Sequence, residues 1–204
     1  MMHGNYTSLY SNITNLSSDM LMSIPDDNLV ITFFGHVKPY KGVEKLITSF
    51  RDVLGDNPKV SLLIAGKPIN EEYANILMGM TKELVNVHLE LRFIQESEIP
   101  LIMKRSNMLV FPFSEVLTSG SIVLGAGFSK PIIAKNRGVI SEYLGNRSLL
   151  YSNDEELAET LVRACQLGSR ELEAIGHENG KFIRQFTWEK AAQSLKIDYI
   201  DLLD

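Results

Sequence analysis

From residue 28 onward the chain alternates short apolar runs with longer amphipathic segments, and this alternation constrains the fold most. The apolar runs are rich in Val, Ile, Leu and Phe, as strands buried on both faces are. Such alternation predicts right-handed βαβ units, and therefore an α/β, Rossmann-like, doubly wound parallel sheet of six strands with helices on both faces. Strands are predicted at 28–34, 60–65, 87–93, 107–112, 131–135 and 148–151, and helices at 42–54, 70–84, 97–105, 119–128, 154–167, 169–185 and 188–202.

The composition is that of a globular protein without a broad basic surface. Of 204 residues, 45% are hydrophobic and 22% are charged, and the net charge is −5. We therefore expect no nucleic-acid binding, and an anionic ligand would need a local basic pocket. The single cysteine, Cys165, excludes an internal disulfide and fits a reducing, cytoplasmic compartment. No apolar run approaches the roughly 20 residues of a membrane helix.

The texture of the sequence changes near residue 28. Residues 1–27 are polar and weakly patterned, and we interpret them as an interdomain linker or arm. Residues 28–204 carry the strand–helix alternation, so we expect them to form one domain.

The first candidate site follows the strand at 28–34. Gly35 and His36 end the strand, and Lys41 and Gly42 open the next helix. A lysine and free backbone N–H groups thus lie at the carboxyl end of a strand, where open α/β sheets bind ligands and helix N-termini attract anions. Locally, a phosphate site and an ordinary loop with solvated lysines are equally compatible. The dinucleotide and Walker fingerprints are both missing, which disfavours a nicotinamide dehydrogenase and a P-loop nucleotidase.

The second candidate site follows the strand at 107–112. Thr118, Ser119, Gly120 and Ser121 are small residues at a helix start, where they leave the first N–H groups uncovered. A simple Ser/Thr N-cap is the commonest reason for such residues. The pairing of two helix N-termini after two parallel strands favours a shared diphosphate site.

Two acidic residues lie near these features in the sequence. Glu115 lies in the turn before the second helix start, and Glu142 follows the strand at 131–135. Either could accept hydrogen bonds from sugar hydroxyls, although a solvated surface acid is the commoner role. The histidines show no metal-ligand spacing, so we expect no metal site. We also expect no other cofactor. Covalent hydrolase chemistry has no supporting motif.

These segments together resemble the retaining glycosyltransferases of family four, which have the GT-B fold. Gly35-His36 and Lys41-Gly42 stand where that family has Gly-Arg and Lys-Gly. The resemblance covers about residues 28–200 and rests on the order and spacing of its motifs. Further motifs follow in the family's order at 62–66, 93–100, 107–112, 129–134, 137–142 and 186–190.

The resemblance implies a role for the chain. GT-B enzymes have two Rossmann-like domains, and this chain resembles only the C-terminal one, which binds the nucleotide-diphosphate-sugar donor. We therefore expect residues 28–204 to be the donor domain of a transferase of glycan biosynthesis. The N-terminal acceptor domain would be missing, the chain alone would lack transferase activity, and a peripheral membrane association of the parent protein stays open.

The resemblance also assigns residue roles. It implies catalytic roles for Lys41 and Glu115, and a nucleobase contact with the backbone near 93–95. Substrate-binding roles are implied for Gly35, His36, Gly42, Phe93, Ile94, Thr118, Ser119, Gly120, Ser121 and Glu142.

The chain departs from the family pattern at two positions. His36 stands where the family usually has arginine, and Leu124 where it usually has a second glutamate that holds the ribose hydroxyls. An alternative is therefore a non-catalytic, nucleotide- or partner-binding remnant of such a transferase.

Overall fold

The computed structural model describes residues 23–55, 57–115, 119–190 and 192–193, together with Gly4, Tyr6 and Tyr10. Within these residues the chain forms a six-stranded sheet in which all neighbouring strands are parallel. The predicted fold class is confirmed. The strands are β1 (Leu29–Phe34), β2 (Val60–Ala65), β3 (Val87–Glu90), β4 (Met108–Phe111), β5 (Ile132–Lys135) and β6 (Leu150–Tyr151).

The strand order is β3-β2-β1-β4-β5-β6. Successive strands are therefore added in one direction from β1 to β3 and in the opposite direction from β4 to β6. The boundary between β1 and β4 is the topological switch point, where loops from adjacent strands separate and leave a crevice. The described helices of eleven or more residues are α1 (Val43–Leu54), α2 (Glu71–Thr81), α5 (Glu156–Gln166) and α6 (Ser169–Ile183); α3 (Ile99–Arg105) and α4 (Gly120–Gly127) are shorter.

The core lies on both sides of the central strands. All six residues of β2 are buried, as expected for a strand covered by helices on both faces. α1 packs against α2 and α5, while α4 packs against α6. Within α4, every residue from Ile122 to Gly127 is buried.

Some predicted boundaries differ from the observed ones. The third strand was expected to reach residue 93 but ends at Glu90, because the chain then turns into a loop closed by its own side chains. The last strand is reduced to Leu150–Tyr151. Most of the predicted arm 1–27, and the predicted last helix beyond residue 193, lie outside the described residues.

The part of the chain that the structure describes contains no helix long and apolar enough to cross a membrane.

Candidate functional site

A pocket of about 430 Å³ opens at the carboxyl edge of the sheet, next to the switch point. The loops after the first three strands and the start of α4 form its walls, and two residues from the N-terminal part of the chain complete them. The described lining comprises Tyr6, Tyr10, Phe34, Gly35, His36, Tyr40, Lys41, Gly66, Lys67, Phe93, Ile94, Ser119, Gly120, Ser121 and Leu124. The structure thus brings the two candidate sites into one pocket.

Two glycines form the floor of this pocket. Gly35 has a φ of 129°, and a Cβ there would lie 2.7 Å from Ser121 Oγ. Gly66 has a φ of 154°, and a Cβ there would lie 1.8 Å from the Gly35 carbonyl oxygen. The segments that follow β1 and β2 can approach each other and the start of α4 because both strands are followed by glycine, which has no side chain.

Lys41 lies in the pocket wall at the end of a short 3₁₀ turn, Pro39–Lys41. Its Nζ lies 3.7 Å from the centroid of the Phe113 ring, which is 1% exposed. No described carboxylate forms an ion pair with Lys41. Burial, and secondarily Lys38, lower the pKa of Lys41 to about 8. The amine of Lys41 is thus mostly protonated at neutral pH, and the resulting ammonium has no described anionic partner.

Gly42 lies beside the pocket rather than in its described lining. Its φ is 71°, and a Cβ there would lie 2.2 Å from the Pro112 carbonyl oxygen. The glycine lets the loop after β1 pass close to the end of β4, so its position supports the wall that carries Lys41.

The start of α4 faces the pocket. Ser119, which is 4% exposed, is the N-cap, and its Oγ accepts a hydrogen bond from the Ile122 N–H at 3.4 Å. The N–H groups of Gly120 and Ser121 precede the first intrahelical bond and stay available to a ligand. Thr118, the first residue of the predicted cluster, lies outside the described residues.

The two predicted acids do not enter the described lining. Glu115 and Glu142 are both exposed, in the connections that follow β4 and β5. They therefore lie at the same edge of the sheet as the pocket. Proximity in sequence could not show which way these connections turn.

The described lining contains Lys41, Lys67 and His36 and no aspartate or glutamate. A local basic pocket inside an acidic chain is what an anionic ligand requires. Sequence reasoning missed Lys67, although it follows Gly66 at the end of β2 as His36 follows Gly35 at the end of β1. Among the described residues, no cluster of His, Cys, Asp and Glu is placed to hold a metal ion.

A model of the family described as glycosyl transferases group 1 matches residues 22–181, which is well over half of the chain. The chain belongs to this family. The family expected from the resemblance is thereby confirmed.

This group 1 glycosyltransferase chain is 29% identical over 178 residues to an uncharacterized glycosyltransferase of Methanocaldococcus jannaschii, covering 84% of this chain and 48% of the relative. It is 26% identical over 115 residues to a GDP-mannose:glycolipid 4-beta-D-mannosyltransferase of Xanthomonas campestris pv. campestris, covering 55% of this chain and 32% of the relative. The chain thus spans half or less of the length of these relatives.

Solved structures show the same architecture. Sucrose-phosphate synthase of Thermosynechococcus elongatus superposes with a TM-score of 0.75 at 18% identity, over 89% of this chain and 47% of that one. The Anabaena protein HepE, solved in complex with UDP-glucose, gives a TM-score of 0.72 at 19% identity, over 86% of this chain and 49% of that one. At such identities the likeness concerns the fold.

Proposed function

We propose that this group 1 glycosyltransferase chain binds a nucleotide-diphosphate-sugar donor in the pocket at the switch point, for transfer with retention at the anomeric carbon. The observation that carries the proposal is the basic lining, in which Lys41, Lys67 and His36 share one pocket with the start of α4 and no described carboxylate. One relative is named for GDP-mannose, and one structural neighbour was solved with UDP-glucose. Both names favour a nucleoside-diphosphate sugar as the ligand class.

The proposed chemistry needs stabilisation of a departing diphosphate. As the bond between the anomeric carbon and the diphosphate oxygen breaks, negative charge develops on that oxygen. Lys41 and the N–H groups of Gly120 and Ser121 would stabilise this charge because their positions are fixed before the reaction begins. His36 would act as an auxiliary donor, and the two floor glycines would admit the diphosphate close to the backbone.

The sugar and the base would lie at opposite ends of the pocket. Glu115 and Glu142 follow β4 and β5, so a sugar projecting past α4 would reach their side of the edge. Phe93 and Ile94 follow β3 on the other side of β1, and the base would meet that loop. We further propose that residues 28–204 form the donor domain of a two-domain, cytoplasmic transferase whose other domain holds the acceptor.

One observation favours the non-catalytic alternative. Leu124, which is 7% exposed, presents an apolar side chain to the pocket on the helix that would face the ribose. An apolar wall cannot accept hydrogen bonds from ribose hydroxyls, so nucleotide binding without turnover is the second candidate. Turnover of a UDP- or GDP-sugar by the complete protein would support the transferase, whereas binding without turnover would support the remnant.

The proposal is tested by calorimetric titration with UDP, GDP and NAD. We expect at least one nucleoside diphosphate to bind more tightly than NAD. Lys41→Ala should weaken that binding by about tenfold or more, because it removes a charge-assisted contact worth roughly 1.5–3 kcal/mol. Lys82→Ala, at the exposed end of α2, is the matched control. Unchanged affinity in Lys41→Ala would remove this lysine from the site, and preferential binding of NAD would contradict the proposal.

A further inference from the structure

The connection between β3 and α3 forms the end of the pocket farthest from α4. It contributes Phe93, which is 59% exposed at the rim, and Ile94, which is 7% exposed. Three inter-strand spacings separate β3 from β4, so this end lies about 14 Å from the switch-point side of the sheet. A ligand that reaches both ends must therefore carry two separate recognition groups.

A bidentate ion pair closes this connection. The Arg92 guanidinium donates through Nη2 to Glu98 Oε1 at 2.6 Å and through Nη1 to Glu98 Oε2 at 2.9 Å. Its Nε lies 3.3 Å from Glu90 Oε2. Such a planar fork fixes direction as well as distance. The pair thus ties the end of β3 to the residue that precedes α3.

The same two side chains hold the backbone between them. Arg92 Nη1 also donates to the Phe93 carbonyl oxygen at 3.1 Å, and Glu98 Oε2 accepts from the Gln95 N–H at 2.8 Å. The Glu98 N–H in turn donates to the Gln95 carbonyl oxygen at 2.9 Å. Phe93 and Ile94 therefore project into the pocket from a loop whose neighbouring backbone groups are already bonded.

The position of this ion pair indicates a role in geometry rather than in global stability. The Arg92 side chain is 44% exposed and that of Glu98 is 19% exposed. Pairs with one partner in solvent contribute little to folding. This pair instead lies next to Phe93 and Ile94 in the pocket wall, and a pair that only stabilised the fold would not need to be there.

We propose that the Arg92–Glu98 ion pair is a positioning device for the base end of the pocket, holding Phe93 so that a nucleobase can stack on its ring. This inference rests on the proposed function. Arg92 and Glu98 need not touch the ligand; they act through the rim loop, so they are positioning residues. The diphosphate end, built by other loops, does not depend on them.

The test compares a ligand that has a base with one that has none. UDP, GDP and inorganic pyrophosphate are titrated calorimetrically into the wild type and into Arg92→Met, Glu98→Gln and Phe93→Ala. Arg51→Met is the matched control, because Arg51 forms an exposed ion pair with Asp52 on α1, away from the pocket. Arg92→Lys keeps the charge but loses the planar fork and should rescue binding only in part.

We expect Arg92→Met to weaken the binding nucleoside diphosphate by about tenfold, as loss of one stacked base would, and to leave pyrophosphate affinity unchanged. Phe93→Ala should weaken nucleotide binding by a similar factor and likewise leave pyrophosphate affinity unchanged. Unchanged nucleotide affinity in Arg92→Met would overturn the inference and leave the proposed function standing. An equal loss for nucleotide and pyrophosphate would also overturn it, by showing a general structural effect. A wild-type chain that binds none of the three ligands would instead overturn the proposed function, and the inference with it.

Discussion

Lys41 shows at the scale of one residue how a folded chain can hold an unpaired charge ready for a ligand. Its ammonium lies on the face of the buried Phe113 ring, whose π electrons offset part of the desolvation. Burial still lowers its pKa to about 8. An anion beside Nζ would favour the protonated form and raise that pKa again. Lys41 therefore links ligand binding to proton uptake.

This linkage predicts a pH dependence. The contribution of Lys41 to the affinity for UDP or GDP should be nearly constant below its ligand-free pKa of about 8 and fall as pH rises above it. The limiting slope is about tenfold per pH unit until the pKa of the complex is reached. Calorimetry near pH 8.5 in buffers of different ionisation enthalpy should show proton uptake on binding. Lys41→Arg, charged throughout this range, should give a flat profile; the same slope in that variant would assign the titration to another group.

The placement of some candidate residues in the pocket could be predicted from the sequence where backbone chemistry decides their position. Gly35, Lys41 and Ser119 were recognised because strand ends and helix starts must lie at one edge of a parallel sheet. Glu115 and Glu142 were not placeable in the same way, because a side chain in an irregular turn takes its direction from tertiary packing. Lys67 follows the end of β2 and also lines the pocket, so the same strand-end argument predicts its placement.

At the scale of elements, the ends of β1 and β2 are set by glycine rather than by pattern. The alternation of apolar runs with amphipathic segments predicted six strands, and all six exist. It could not predict that β3 would stop at Glu90, since the side chains of Arg92 and Glu98 close the following loop. Close approach between strand ends likewise depends on missing side chains, which hydrophobic periodicity does not report.

A pair of glycine substitutions tests this element-scale argument. Gly66→Ala should lower the free energy of unfolding by at least about 2 kcal/mol, because its Cβ would overlap the Gly35 carbonyl in a left-handed conformation. Gly79→Ala, on α2 with nothing within 4 Å of the added Cβ, should raise it by about 0.5–1 kcal/mol. Urea denaturation followed by circular dichroism measures both. Equal effects in the two variants would contradict the close contact between the strand ends.

At the scale of the whole molecule, some basic side chains pair with carboxylates and others do not. Lys45 of α1 and Lys135 of β5 both pair with Asp154 at the start of α5, and they lower the pKa of that carboxyl. Lys41 and Lys67 form no ion pair with any described residue. The cations that tie these elements together are thus neutralised, whereas the two lysines of the pocket have no described ion-pair partner. The partly buried ammonium of Lys41 costs stability until an anion arrives.

That cost gives the last prediction, which separates a binding lysine from a structural one. Without ligand at pH 7, Lys41→Met should melt at the same temperature as the wild type or higher, because a group whose pKa falls from 10.5 to about 8 on folding destabilises the fold below pH 8. The difference should shrink as pH rises from 8 to 10.5. UDP or GDP, whichever binds, at one hundred times its dissociation constant should stabilise the wild type by about 2.7 kcal/mol. For a chain of this length, that corresponds to a rise in Tm of roughly 5–10 °C.

The same ligand concentration should raise the Tm of Lys41→Met far less. Differential scanning calorimetry measures the Tm of the wild type and of Lys41→Met, each with and without ligand. A lower Tm for ligand-free Lys41→Met would mean that the contact between the ammonium and Phe113 stabilises the fold. The main argument that this pocket binds an anion would then fail. A higher Tm together with a lost ligand shift would show stability given up for binding, since the unpaired charge then serves only the bound state.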